Sequence, residues 1–80
     1  MESRNLIGRR LRQARLAERP RATLSDVSAR LEVLGVNLSI SSIAKIERGE
    51  RIVTDIQLVA LAKALKVSPA WLLGSDEAET

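Results

Sequence analysis

The eighty-residue chain contains no cysteine and no histidine. Those two absences remove disulfides, the usual zinc ligands, the thiol nucleophile and the commonest general base together, and most enzyme chemistry goes with them. The only aromatic residue is Trp71, so there is no row of rings on which single-stranded nucleic acid could stack its bases. No apolar run approaches the length of a bilayer span, and Met1 to Pro20 lacks the uninterrupted apolar core of a signal peptide. These gaps lead to an expectation of a cytoplasmic protein that is not an enzyme, has no membrane attachment and uses no metal or cofactor.

What is present is a composition of 45% hydrophobic and 29% charged residues, which suits a folded domain rather than a disordered segment. Eighty residues are enough for a single domain, here residues 1–80 with a core over about 5–74 and a flexible tail at 75–80. A core of that size is marginal alone, so self-association is expected. The net charge of +3 is unevenly spread. Residues 1–51 carry eleven Lys or Arg against six acids, and 52–80 carry two against four. A basic first half favours a polyanionic partner, because each neutralised phosphate releases condensed counterions. With stacking aromatics lacking, duplex DNA is the better fit.

Apolar residues recur near a period of 3.6 throughout, which predicts an all-α fold of five helices. The first runs from about Asn5 to Ala17, with Ile7, Leu11 and Ala14 as its stripe. Thr23 is placed to cap a second helix with Asp26 at N3, followed by Val27, Leu31 and Leu34 and closed by Gly35. Val36 to Leu38 read as extended. Ser39 caps a third helix carrying Ile40, Ile43 and Ile46 and stopped by Gly49. Thr54 caps a fourth, Asp55 to Leu65, in which only Gln57 and Lys63 are polar after Asp55, so it is expected to lie buried at the centre. Ser68 and Pro69 open a short fifth helix that ends at Gly74. Trp71, spaced with Leu72 and Leu73, reads as core rather than as a base-stacking residue.

With the helices placed, Ser41-Ser-Ile-Ala-Lys-Ile-Glu-Arg-Gly49 resembles the recognition helix of the Cro and lambda-repressor-like (XRE-type) regulators. Ile7 to Arg15 is similar to their first helix, Leu58 to Leu65 to their fourth and Val67 to Gly74 to their fifth, so the resemblance spans Leu6 to Gly74. It implies a five-helix domain containing a helix-turn-helix, which binds double-stranded operator DNA as a homodimer with the third helix in the major groove. It also implies that Glu47 pairs with Arg15. The position of Glu47 near the inner side of its helix, where a carboxylate needs a cation, agrees with that. Helix 5 forms the dimer contact in many relatives, which points to Leu72 or Leu73.

The chain departs from the pattern at two residues and in two loops. Leu24 stands where the family has a phosphate-binding Gln, and Ile40 occupies the reading position that is often Arg or Gln. Ile40 cannot make the bidentate contacts that identify guanine or adenine, though it can pack on a thymine methyl. The connection between the second and third helices is also long, similar to a subgroup with a Leu-Gly-Val insertion. The loop from Glu18 to Ala22 is about two residues longer than usual and adds Arg19 and Arg21 to the basic surface. The expected base-contacting residues are therefore Lys45, Ser41, Ile40 and Ala44, with Lys45 able to donate to guanine. Phosphate contacts are expected from Arg10, Ser42, Arg48 and Arg51, and from the helix starts at Thr23, Ser39 and Thr54. The competing reading is a protein-interaction module, antitoxin-like, in which Leu24 and Ile40 form an apolar docking face for an unknown protein partner.

Overall fold

The computed structural model describes residues 2–75. They form five helices, α1 (Gly8–Ala17), α2 (Leu24–Val33), α3 (Ile40–Glu47), α4 (Asp55–Ala64) and α5 (Pro69–Leu73), and no strand. Four helices begin at the hydroxyl residues expected of them. The Thr23 side chain accepts from Asp26 N–H at 3.0 Å while the Asp26 carboxylate accepts from Thr23 N–H at 2.9 Å, and Thr54 and Gln57 are joined in the same reciprocal way. Ser39 and Ser68 accept from the amides of Ser42 and Trp71. Each such cap is worth about 1 kcal/mol.

Helix α1 starts three residues later than its sequence pattern suggests, because Asn5 acts from outside the helix. Its Oδ1 accepts from both Ile7 N–H and Gly8 N–H, at 3.0 and 2.8 Å, which satisfies two of the unpaired amides of the first turn.

The core is built from Ile7, Leu11 and Ala14 of the α1 region, Val27 and Leu31 of α2, Leu38 of the connection that follows it, Ile43 and Ile46 of α3, Leu61 and its alanine neighbours on α4, and Leu72. Among the described residues no polar or charged one is fully buried. Two expectations are corrected here. Leu34 lies outside the core and is exposed, since α2 has already ended and the chain turns at Gly35, whose φ is +82°. Helix α4 is not buried all round. Ala60, Leu61, Ala62 and Ala64 face the core while Ile56 is 70% and Val59 43% exposed, because no described element packs over that arc. No helix among the described residues is long and apolar enough to cross a membrane. Of the tail expected to fray, residues 76–80 lie outside the described residues.

Arg30 of α2 ties two distant parts together. Its guanidinium holds the Glu18 carboxylate bidentately at 2.8 and 2.9 Å and also donates to the Ala64 carbonyl at the end of α4. The Arg30 bond lowers the Glu18 pKa below the ordinary carboxylate range, the Thr23 amide and hydroxyl do the same for Asp26, and Arg48 does so for Glu50. A carboxylate whose pKa is depressed by folding contributes stability above its unfolded value and loses that contribution as pH falls. With no histidine in the chain, the urea midpoint is expected to be flat from about pH 6 to 8 and to drop between about pH 5 and 2. A midpoint that moved between pH 6 and 8 would contradict this.

Candidate nucleic-acid interface

Helix α3 has one face locked into the domain and one turned outward. Ile43 and Ile46 are wholly buried, while Ile40, Ser41 and Lys45 are exposed and Ala44 is half-buried between the two faces. The four residues expected to meet bases thus share the outer part of one helix of eight residues. At its start, Ser39 Oγ takes the Ser42 amide and the two serine hydroxyls bond each other at 3.0 Å.

Electrostatics separates α3 from its neighbours. The first turns of α2 and α4 contain Asp26 and Asp55, whereas the first turn of α3 has no acid. The positive end of the α3 dipole is therefore uncompensated by the chain itself. At Thr23 and Thr54 the backbone amides are already taken by Asp26 and Gln57. The Thr23 hydroxyl is engaged with Asp26 as well.

The far end of α3 is held by three residues of the α1 region. Arg15 grips Glu47 through Nε–Oε2 at 2.7 Å and Nη2–Oε1 at 2.9 Å, and its Nη1 donates to the Ala22 carbonyl at 3.1 Å. Both side chains are largely withdrawn from solvent, at 13% and 7% exposure, and the bond to Glu47 raises the Arg15 pKa further. Gly8 lets the α1 backbone rest directly on the carbonyl end of α3, where a β-carbon would come within 2.8 Å of the Glu47 oxygen and closer still to that of Ile46. Asn5 Nδ2 donates to the carbonyls of Ile46 and Arg51 at 3.0 and 2.8 Å. At the other end of α3, Ser28 of α2 donates through Oγ to the Leu38 carbonyl at 2.7 Å.

Asn5, Gly8 and Ser28 are the positioning residues that sequence reasoning missed. A glycine interrupting the apolar pattern of α1 was the one available signal, since glycine inside a helix costs stability unless another backbone comes close. Nothing in the sequence marked Asn5 or Ser28.

The basic groups fall into two sets. Arg48 follows α3 and is exposed, its guanidinium paired with Glu50 at 2.9 and 3.2 Å. Arg9 lines one hollow with Arg48 over the α1–α3 contact, and Arg51, shortly after Arg48 in sequence, is half-buried. Arg10 is drawn to α5 instead. Its Nη1 donates to the Trp71 carbonyl at 2.8 Å and its guanidinium lies over the Trp71 ring, 4.9 Å from the centroid. Trp71 is consequently half-buried, packed on the core with its ring face covered by a cation. Leu72, expected as a possible dimer contact, is fully buried within the chain and unavailable to a partner, whereas Leu73 is exposed.

Among the described residues no group of three or more acidic side chains could hold a metal ion. What the arrangement does offer is a rigidly held helix with a polar and apolar outer face, an open positive end and arginines beside it, which are the elements of duplex recognition. No curated protein and no solved structure matches the chain. The profile of the helix-turn-helix family HTH_3 matches residues 23–72, from the cap of α2 to the end of the core on α5. The chain belongs to that family, the XRE and lambda-repressor-like helix-turn-helix domains of DNA-binding regulators.

Proposed function

We propose that this domain is a sequence-specific transcriptional regulator, a repressor that acts in the cytoplasm as a homodimer on a palindromic operator. The observation that carries the reading is the division of α3 into a buried isoleucine face and an exposed face bearing Ile40, Ser41 and Lys45. On it, Lys45 donates to guanine O6 or N7 and Ile40 packs on a thymine methyl, with Ser41 and Ala44 shaping the contact. Ser39, Ser42, Arg48 and Arg51 bind phosphate, assisted by the helix starts at Thr23 and Thr54. Arg10 reaches phosphate only by leaving Trp71. Because Ile40 and Ala44 read little sequence, most of the affinity comes from phosphates and most of the base readout from Lys45. Repression follows from occupancy alone, with two half-sites about 34 Å apart along the duplex.

Fluorescence anisotropy of a labelled duplex across a salt series tests this. Contacts to about six phosphates give a log–log slope of roughly −5. Arg48→Ala is expected to reduce that slope by about 1, and Lys45→Ala to weaken discrimination between operator and mutated operator by about 1–3 kcal/mol. Absence of binding at low salt would reject the reading in favour of a protein-docking face built on Leu24 and Ile40.

A further inference from the structure

The uncovered arc of α4 is unusual for a helix otherwise made of core residues. Asp55, Ile56, Val59 and Lys63 are all exposed and, at 3.6 residues per turn, fall within about a 100° arc. The apolar surface does not stop at the helix. On one side Leu6, Ile52 and Leu73 line a hollow with Asp55, and on the other Leu34 and Val36 line a second hollow with Ile56, Val59 and Lys63. Leu6, Leu34, Ile52, Ile56, Val59 and Leu73 are all exposed and leave on the order of 600 Å² uncovered, the top of the range for an apolar patch on a monomer. Two copies that buried it would remove about 1,200 Å², the size at which specific and stable interfaces begin.

The charges at the ends of the arc say what kind of partner fits. Asp55 stands four residues before Val59 and Lys63 four residues after it. That order is self-complementary under one operation, a two-fold axis through Val59 that sets two α4 helices antiparallel. Asp55 then meets the partner's Lys63 at one end and Lys63 meets the partner's Asp55 at the other, with Ile56 and Val59 packed between. A parallel pairing would instead oppose like charges at both ends. We propose that this arc is the homodimer interface, α4 packing antiparallel on α4 of a second copy about Val59, flanked by two Asp55–Lys63 pairs. The proposal rests on the homodimer reading above and moves its contact from α5 to α4, leaving Leu73 at the margin.

Sedimentation equilibrium of the full chain without DNA is the test. The wild type is expected to dimerise, and Lys63→Glu and Asp55→Lys each to weaken dimerisation by about tenfold through like-charge opposition. Combining the two restores the attraction with its sign reversed and returns the dimer constant to within about threefold of wild type. Val59→Glu, at the centre of the apolar contact, abolishes the dimer, and Trp71 fluorescence on heating verifies that each variant is folded. A wild type that stays monomeric up to about 1 mM overturns the proposal. So does a dimer indifferent to Val59→Glu and Lys63→Glu, or a double variant no better than the singles. Duplex binding at low salt is scored separately on the wild type. Its absence would reject the DNA-binding reading while leaving the sedimentation result to stand on its own.

Discussion

Arg15→Ala is expected to lower the free energy of unfolding by about 3 to 5 kcal/mol, read from urea denaturation near neutral pH. The substitution removes both hydrogen bonds to Glu47 and the one to the Ala22 carbonyl, and it strands a carboxylate that is only 7% exposed at the negative end of the α3 dipole. A domain of this length has about 4–12 kcal/mol of stability in total, so the variant should stand near the edge of folding at physiological temperature. The cost comes from the stranded charge more than from the net worth of the pair, and that distinction is measurable. Replacing both partners together, Arg15→Met with Glu47→Leu, should recover most of the loss, because two apolar side chains avoid the desolvation that the lone carboxylate suffers. A single-variant loss under about 1 kcal/mol would mean that Glu47 reaches water despite its surroundings.

Gly8→Ala is the second large effect and runs against helix propensity. Alanine in a helix interior gains close to 1 kcal/mol over glycine, and even at the first residue of α1 a part of that gain would on its own strengthen the helix. The added methyl, however, meets the carbonyl oxygens of Ile46 and Glu47, which are backbone atoms without a rotamer to escape into. Helix α1 must then lift from α3, which also pulls on the Asn5 bonds to Ile46 and Arg51. Steric cost exceeds the propensity gain, and the expected result is a net destabilisation of about 2–3 kcal/mol. DNA affinity should fall further than the loss of folded protein explains, since the tilt of the exposed face is set by this contact. A stabilised Gly8→Ala protein would show that the two helices separate without cost.

The helices were legible in the sequence because their signals are local. Thr23 with Asp26, Thr54, and Ser68 with Pro69 each specify a start within one turn of chain, and the isoleucines of α3 specify which of its faces is buried. Legibility fails where the answer depends on what lies across the molecule. The composition of α4 shows that most of its residues are apolar, but not that neighbours cover only part of its circumference, so Ile56 and Val59 were expected inside. Leu34 was misplaced for a similar reason, since the stripe of α2 continues past the point where the helix ends. Arg15 and Glu47 were recognised through resemblance, whereas Asn5, Gly8 and Ser28 act on backbone atoms far away in sequence and leave no periodic trace. For the outer face of α3, the residues could be named from the sequence. How firmly the domain grips that helix at both ends could not.

That grip bears on the long connection between α2 and α3. Its two ends are pinned independently, one by the Val36 amide bonded to the Leu31 carbonyl at 2.9 Å and the other by Ser28 on the Leu38 carbonyl, while Asn37 between them is exposed. Loop-closure entropy changes only slowly with length, so a residue inserted beside Asn37 would bulge into solvent without reorienting the helix beyond it. That position is therefore a graft point, where a short peptide tag or a protease site could be added while the exposed face of α3 keeps its aim.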